Sequence, residues 1–137
     1  MNILILSIIY EHNMNLKEFE MLKAHYQKII DYYNLPMNYY GVRLTERDDV
    51  DEYYIDHDAK MIWLKTHDIK EDDVDIYKKV IDCFKVVEKE FDYDFVIKSN
   101  TSFLINLLFV YNFIRDIPDV EHAVISPLSF EAMFRGC

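Results

Sequence analysis

Residues 2–10 read NILILSIIY, an almost unbroken run of Ile and Leu. A strand with one wet face alternates polar and apolar residues, and this run does not alternate. It predicts a strand buried on both faces, the central place in a parallel sheet covered by helices. The wider opening MNILILSIIYEHN lacks a basic start and a small-residue cleavage site, so it reads as core strand and not as a secretory leader.

Outward from this strand the periods change. Asn15 with Glu18 three residues on has the form of a capping box, and Leu16, Phe19, Leu22, Tyr26, Ile29, Ile30 and Tyr33 recur at helical spacing. Pro36 ends that helix, and the Tyr-rich residues 37–43 predict a second strand. Residues 45–58 carry seven carboxylates without an apolar period and predict a solvated loop. A strand follows over 59–65, then a polar connection, then a helix over 73–90 with Asp73 as N-cap and Tyr77, Val80, Ile81, Phe84, Val87 and Phe91 on one face. Phe95, Val96 and Ile97 make a short buried strand. The turn after it offers Asn100 or Thr101 as cap for a helix over 103–114, apolar nearly all round and therefore read as core rather than as a partner-binding surface. A last strand is expected over 123–126. Alternating strands and helices in 137 residues predict one α/β domain, 1–137, with a mostly parallel sheet and flanking helices.

Composition excludes several functions. A formal net charge of -10 repels nucleic-acid phosphates and anionic lipid, so no nucleic-acid partner is expected. No apolar run reaches the ~20 residues of a membrane span. Two cysteines, Cys83 and Cys137, form neither a disulfide framework nor a zinc spacing, and a reducing compartment such as the cytoplasm fits them best. The two glycines cannot build a Gly-rich phosphate loop, no two histidines stand at i,i+4, and the acidic loop lacks the central Gly of an EF-hand. The chain stops at Cys137 without a polar tail, which reads either as an ordinary short end or as truncation of a longer parent.

Ligands of α/β sheets bind outside the carboxyl ends of the strands. Two acidic residues, Asp92 and Asp94, form the visible Asp-x-Asp of FDYDFVIKSNTS, but they precede the strand and read as a polar connection at its amino end. Lys98, Ser99, Asn100, Thr101 and Ser102 follow the strand and lie at the functional end. Lys65, Thr66, His67 and Asp68 take the equivalent place after the 59–65 strand.

The segment FDYDFVIKSNTSFLIN, preceded by LKTHDIKEDDVDIYKKVIDCF, resembles the central part of nucleotide-sugar-dependent glycosyltransferases of the A-type fold, over about residues 62–106. The resemblance implies a Rossmann-like sheet, the N-terminal half of that fold, and transfer of a sugar from a nucleotide-diphosphate donor to an acceptor hydroxyl on a glycan. It implies donor-binding roles for Ser7, Tyr10, Thr66, Asp68, Lys79, Lys98, Ser99 and Asn100, with His12 also in the loop facing the nucleotide. Asn100 and Ser102 stand where the family carries the carboxylates that hold Mn²⁺ or Mg²⁺. This neutral pair is expected to hold a divalent cation weakly or not at all, because Mg²⁺ takes anionic oxygens. Lys98, Lys79 or Lys65 would then meet the charge of the leaving diphosphate. The alternative is a non-catalytic α/β nucleotide-binding or protein-interaction domain. No catalytic residue is assigned, and monomer and homodimer both stay open.

Overall fold

The computed structural model describes residues 1–9, 13–65 and 73–117, with the side chains of 13, 14 and 73–77 left aside. In chain order the elements are β1 (Ile3–Ile8), α1 (Asn13–Tyr33), β2 (Met37–Thr45), β3 (Tyr53–Asp56), β4 (Met61–Lys65), α2 (Asp73–Glu90), β5 (Phe95–Asn100) and α3 (Leu107–Arg115). The strand expected at 123–126 lies outside the described residues.

All six residues of β1 are buried, as its unbroken apolar run requires. The strand pairs in parallel with β2 on one side and with β5 on the other. A parallel neighbour demands a long crossover, and helices supply it on both faces. Ile3 and Ile5 pack with Phe19, Tyr26 and Ile30 of α1 and with Leu107 and Ile114 of α3. Leu4, Leu6 and Ile8 pack with Cys83, Val86 and Val87 of α2 on the opposite face. The sheet order is β3-β4-β2-β1-β5, with β3 alone antiparallel. The chain therefore moves outward from β1 through β2 to β4 and then returns to the other side of β1.

Four expectations need correction. The acidic stretch is not all loop: Tyr53 and Ile55 of β3 pair with Leu64 and Ile62 of β4 and pack on the α2-side core. The carboxylates that hide this strand serve its turn, since the Asp56 carboxylate accepts the amides of Asp58 (3.1 Å) and Ala59 (3.0 Å), and Lys60 adopts φ 56°. On α2 the buried stripe is Lys79, Cys83, Val86 and Val87, at i, i+4, i+7 and i+8, while Ile81 and Phe84 are exposed. Lys79 thus takes a place on the inner face that hydropathy alone would give to an apolar residue.

The helix after β5 begins at Leu107 and not at 103. Its N-cap is Asn106, whose side-chain Oδ1 accepts the Phe109 amide at 3.0 Å, rather than Asn100 or Thr101. Nor is it core all round: Leu107 and Ile114 are buried, while Phe109 and Phe113 are exposed among the described residues and stack with centroids 6.4 Å apart. The fourth correction is at α1, which starts at Asn13, so Asn15 lies inside the helix and does not cap it. Its C-terminal end was expected from Pro36, but the stop is already made by Asn34 at φ 50°, where the Leu35 amide reaches back to the Ile30 carbonyl at 3.0 Å.

At the β4 side of the sheet the guanidinium of Arg43 lies 4.7 Å from the ring centre of Trp63, a packing contact with cation–π character. No helix among the described residues is long and apolar enough to cross a membrane.

Gly41 of β2 sits opposite Ser7 of β1. A Cβ there would meet Ile9 Cδ1 at 2.6 Å, the Phe19 ring at 2.9 Å and Met61 Sδ at 3.0 Å. Ile9 and Met61 can give way at their tips, but the ring cannot, so Gly41→Ala should cost ~1–3 kcal/mol in urea unfolding. Ile9→Val should be less damaging in the Gly41→Ala background than alone, because it removes the closest clashing atom.

Candidate functional site

The carboxyl ends of β1, β2, β4 and β5 form one edge of the sheet, and the strand order reverses at β1, between β2 and β5. Register places Lys98 beside Leu6, Ser99 beside Ser7 and Asn100 beside Ile8. These three residues belong to β5 itself, which runs further than the expected three-residue strand. Lys98 and Asn100 thus share the α2 face, and Ser99 the α1 face.

Lys79 is the cation at this edge that burial singles out. It is 5% exposed, and its Nζ donates to the carbonyl of Ile9, just past β1, at 3.0 Å. Burying an ammonium is costly without hydrogen bonds. This bond fixes the Lys79 side chain where β1 ends. One turn later on α2, burial pushes the Cys83 thiol up to about 12, opposed by the nearby Lys79 charge.

Other expected residues stand differently. Ser7 is buried, and its Oγ accepts the Tyr39 hydroxyl at 2.7 Å, so it is a core polar pair and not an open ligand contact. Burial, only partly offset by this bond, raises the Tyr39 hydroxyl above its ordinary range. The Ser99 hydroxyl donates to the carbonyl of its neighbour Asn100 at 3.2 Å, and Lys98 is exposed. Lys65 donates to the carbonyls of Glu46 (2.9 Å) and Arg47, so its charge is turned onto the loop after β2. Tyr10, His12, Thr66, His67 and Asp68 lie outside the described residues.

Asn100 and Ser102 are brought together, but onto each other. Asn100 Oδ1 accepts the Ser102 amide at 3.1 Å and the Ser102 hydroxyl at 2.7 Å, which occupies both lone pairs of the carbonyl oxygen. So arranged, the pair does not fit Mn²⁺ or Mg²⁺, which take open and largely anionic oxygen donors. Among the described residues no three His, Cys, Asp or Glu side chains gather as a metal site.

Asp94 lies at the amino edge, away from all this. It exchanges bonds with Asn2, whose amide donates to the Asp94 carboxylate at 2.8 Å while the Asp94 amide donates to the Asn2 carbonyl at 2.9 Å.

Sequence reading missed the groups that hold the edge in place. Thr101 is buried, with Oγ 2.9 Å from Glu18 Oε2 and 3.3 Å from Asn15 Oδ1 of α1. Tyr26 of α1 donates to the Phe103 carbonyl (3.3 Å) and accepts the Ile105 amide (2.9 Å). Partners more than seventy residues apart leave no local spacing signal.

No family model, curated protein or solved structure matches this chain. What the edge can do therefore rests on its own chemistry.

Two outcomes are expected. Ser7→Ala leaves a buried Tyr39 hydroxyl without its acceptor and should cost ~1–3 kcal/mol in urea unfolding; adding Tyr39→Phe should recover much of that loss. The second concerns Cys83, whose folded value is raised from an ordinary 9.0 to about 12. Below pH 9 its contribution is fully present; as pH climbs toward 12 the unfolded chain gives up the proton first, and stability falls by up to ~1.4 kcal/mol per unit. Cys83→Ala should be less stable at pH 7 and show a shallower alkaline decline between pH 9 and 11.

Proposed function

We propose that the carboxyl edge binds a nucleotide-diphosphate sugar, and that the chain is the donor-binding, Rossmann-like half of an A-type glycosyltransferase fold that works without a metal. The observation that carries this reading is the buried Lys79 side chain bonded to the Ile9 carbonyl at the end of β1, where the strand order reverses. Diphosphates need cationic or dipolar partners, and a charge in a low-dielectric edge acts more strongly than one in water. The parallel order β4-β2-β1-β5 with helices on both faces supports the fold assignment.

In the transfer, an acceptor hydroxyl oxygen of a glycan forms a bond to the anomeric carbon. The bond from that carbon to the diphosphate oxygen breaks, and the diphosphate leaves with the electron pair. Lys79 offsets the charge that develops there. The hydroxyl proton passes to a base that none of the described residues is assigned to provide. A buried Cys83 thiol fits a reducing compartment such as the cytoplasm.

The self-paired Asn100 and Ser102 favour a second reading, a non-catalytic nucleotide-binding or protein-interaction domain that keeps the scaffold and not the chemistry. Calorimetric titration with uridine and guanosine diphosphate sugars, with and without Mn²⁺, separates the two. The glycosyltransferase reading expects binding of equal strength with and without the metal, followed by donor turnover when an acceptor is present. Lys79→Met, checked for folding by circular dichroism, should raise the dissociation constant at least ~10-fold, a loss of ~1.4 kcal/mol. Binding without hydrolysis or transfer selects the second reading, and no binding of either donor under any condition removes the first.

A further inference from the structure

We propose that Thr101 is a positioning residue for the diphosphate site: its hydroxyl ties the turn at the end of β5 to α1 and sets where that turn meets the ligand. The inference rests on the reading that this edge holds a nucleotide diphosphate, and it assigns a role that neither periodicity nor motif indicated.

Residues 101–106 join β5 to α3, and two polar staples hold them to α1. The far staple is the Tyr26 hydroxyl, which bonds the backbone at Phe103 and Ile105. The near one is Thr101, whose Oγ lies 2.9 Å from Glu18 Oε2 and 3.3 Å from Asn15 Oδ1. A hydroxyl has one proton. Both neighbours are acceptors, so the proton goes to the carboxylate, where the bond is shorter and charge-assisted.

Position in the chain gives the staple its importance. Thr101 sits between Asn100 and Ser102, which close on each other through the Asn100 carbonyl oxygen. The three residues are thus one small unit, made by Asn100 and Ser102 and located by Thr101. Removing the Thr101 hydroxyl leaves the turn closed, the Tyr26 staple made and α3 capped by Asn106. What it releases is the placement of the turn relative to α1. A turn displaced relative to α1 no longer meets the diphosphate with the geometry that charge-assisted hydrogen bonds need.

Thr101→Val keeps the shape and removes the hydroxyl, while Thr101→Ser keeps the hydroxyl. In calorimetric titrations with uridine and guanosine diphosphate sugars, Thr101→Val should bind at least ~10-fold more weakly and Thr101→Ser should bind like wild type. Ile30→Val, a core change far from the turn, should lower the melting temperature without altering affinity. If Thr101→Val does not fold, Glu18→Ala opens the same bond from α1 and should show the same weakening. Wild-type affinity in Thr101→Val, or in Glu18→Ala where that stands in, overturns the positioning role and leaves the reading of Lys79 intact. Thr101→Ser as weak as Thr101→Val overturns the role of the hydroxyl. Failure of the wild type to bind either donor overturns the nucleotide reading and this inference with it.

Discussion

β1 is bonded to a parallel strand along both of its edges and covered by helices on both of its faces. A strand so enclosed has no tolerance for an unpaired polar group. Each of its buried apolar side chains contributes ~1.5–3 kcal/mol through loss of water contact, and its single hydroxyl, Ser7, must be matched from β2 by Tyr39. The same enclosure explains Gly41 opposite Ser7, where Ile9, Phe19 and Met61 already fill the space a Cβ would take. It also dictates topology, because parallel neighbours on both sides require crossovers, and crossovers bring α1 and α2 onto opposite faces.

How much could be read in advance follows from how local each cause is. The course of β1, the inner face of α1 up to Ile30 and the bounds of α2 were legible, since each is written in the spacing of neighbouring residues, whereas Tyr33 at the end of α1 is exposed. β3 was not, because Tyr53 and Ile55 are two inward residues set among carboxylates that serve the turn and solvent. The inner face of α2 was misread by a fraction of a turn: Lys79 and Cys83 belong to it, and Ile81 and Phe84 face out. Burial of a lysine against a backbone carbonyl in another element cannot be inferred from the helix alone. The start of α3 was missed for a related reason: Phe103 and Leu104 look helical, and the Tyr26 hydroxyl that bonds the backbone at Phe103 and Ile105 comes from another element.

At the candidate site, sequence order was enough to put Asp92 and Asp94 before a strand and Thr101 and Ser102 after it, while Lys98, Ser99 and Asn100 are the last residues of the strand itself. The state of each side chain was out of reach. Ser7 had a buried partner thirty-two residues away, Lys65 had turned to the loop after β2, and Asn100 had turned to Ser102. The spacing of Glu18 suggests half of a capping box, whereas its carboxylate receives the hydroxyl of Thr101 from across the sheet edge.

Trp63, the single tryptophan, stacks with Arg43 on the β2–β4 side of the sheet. Three strand spacings, ~14 Å, separate β4 from β5. Its fluorescence is therefore an optical report on the integrity of one half of the sheet, tuned by a neighbouring guanidinium, while the turn after β5 lies in a part of the molecule that this chromophore scarcely sees.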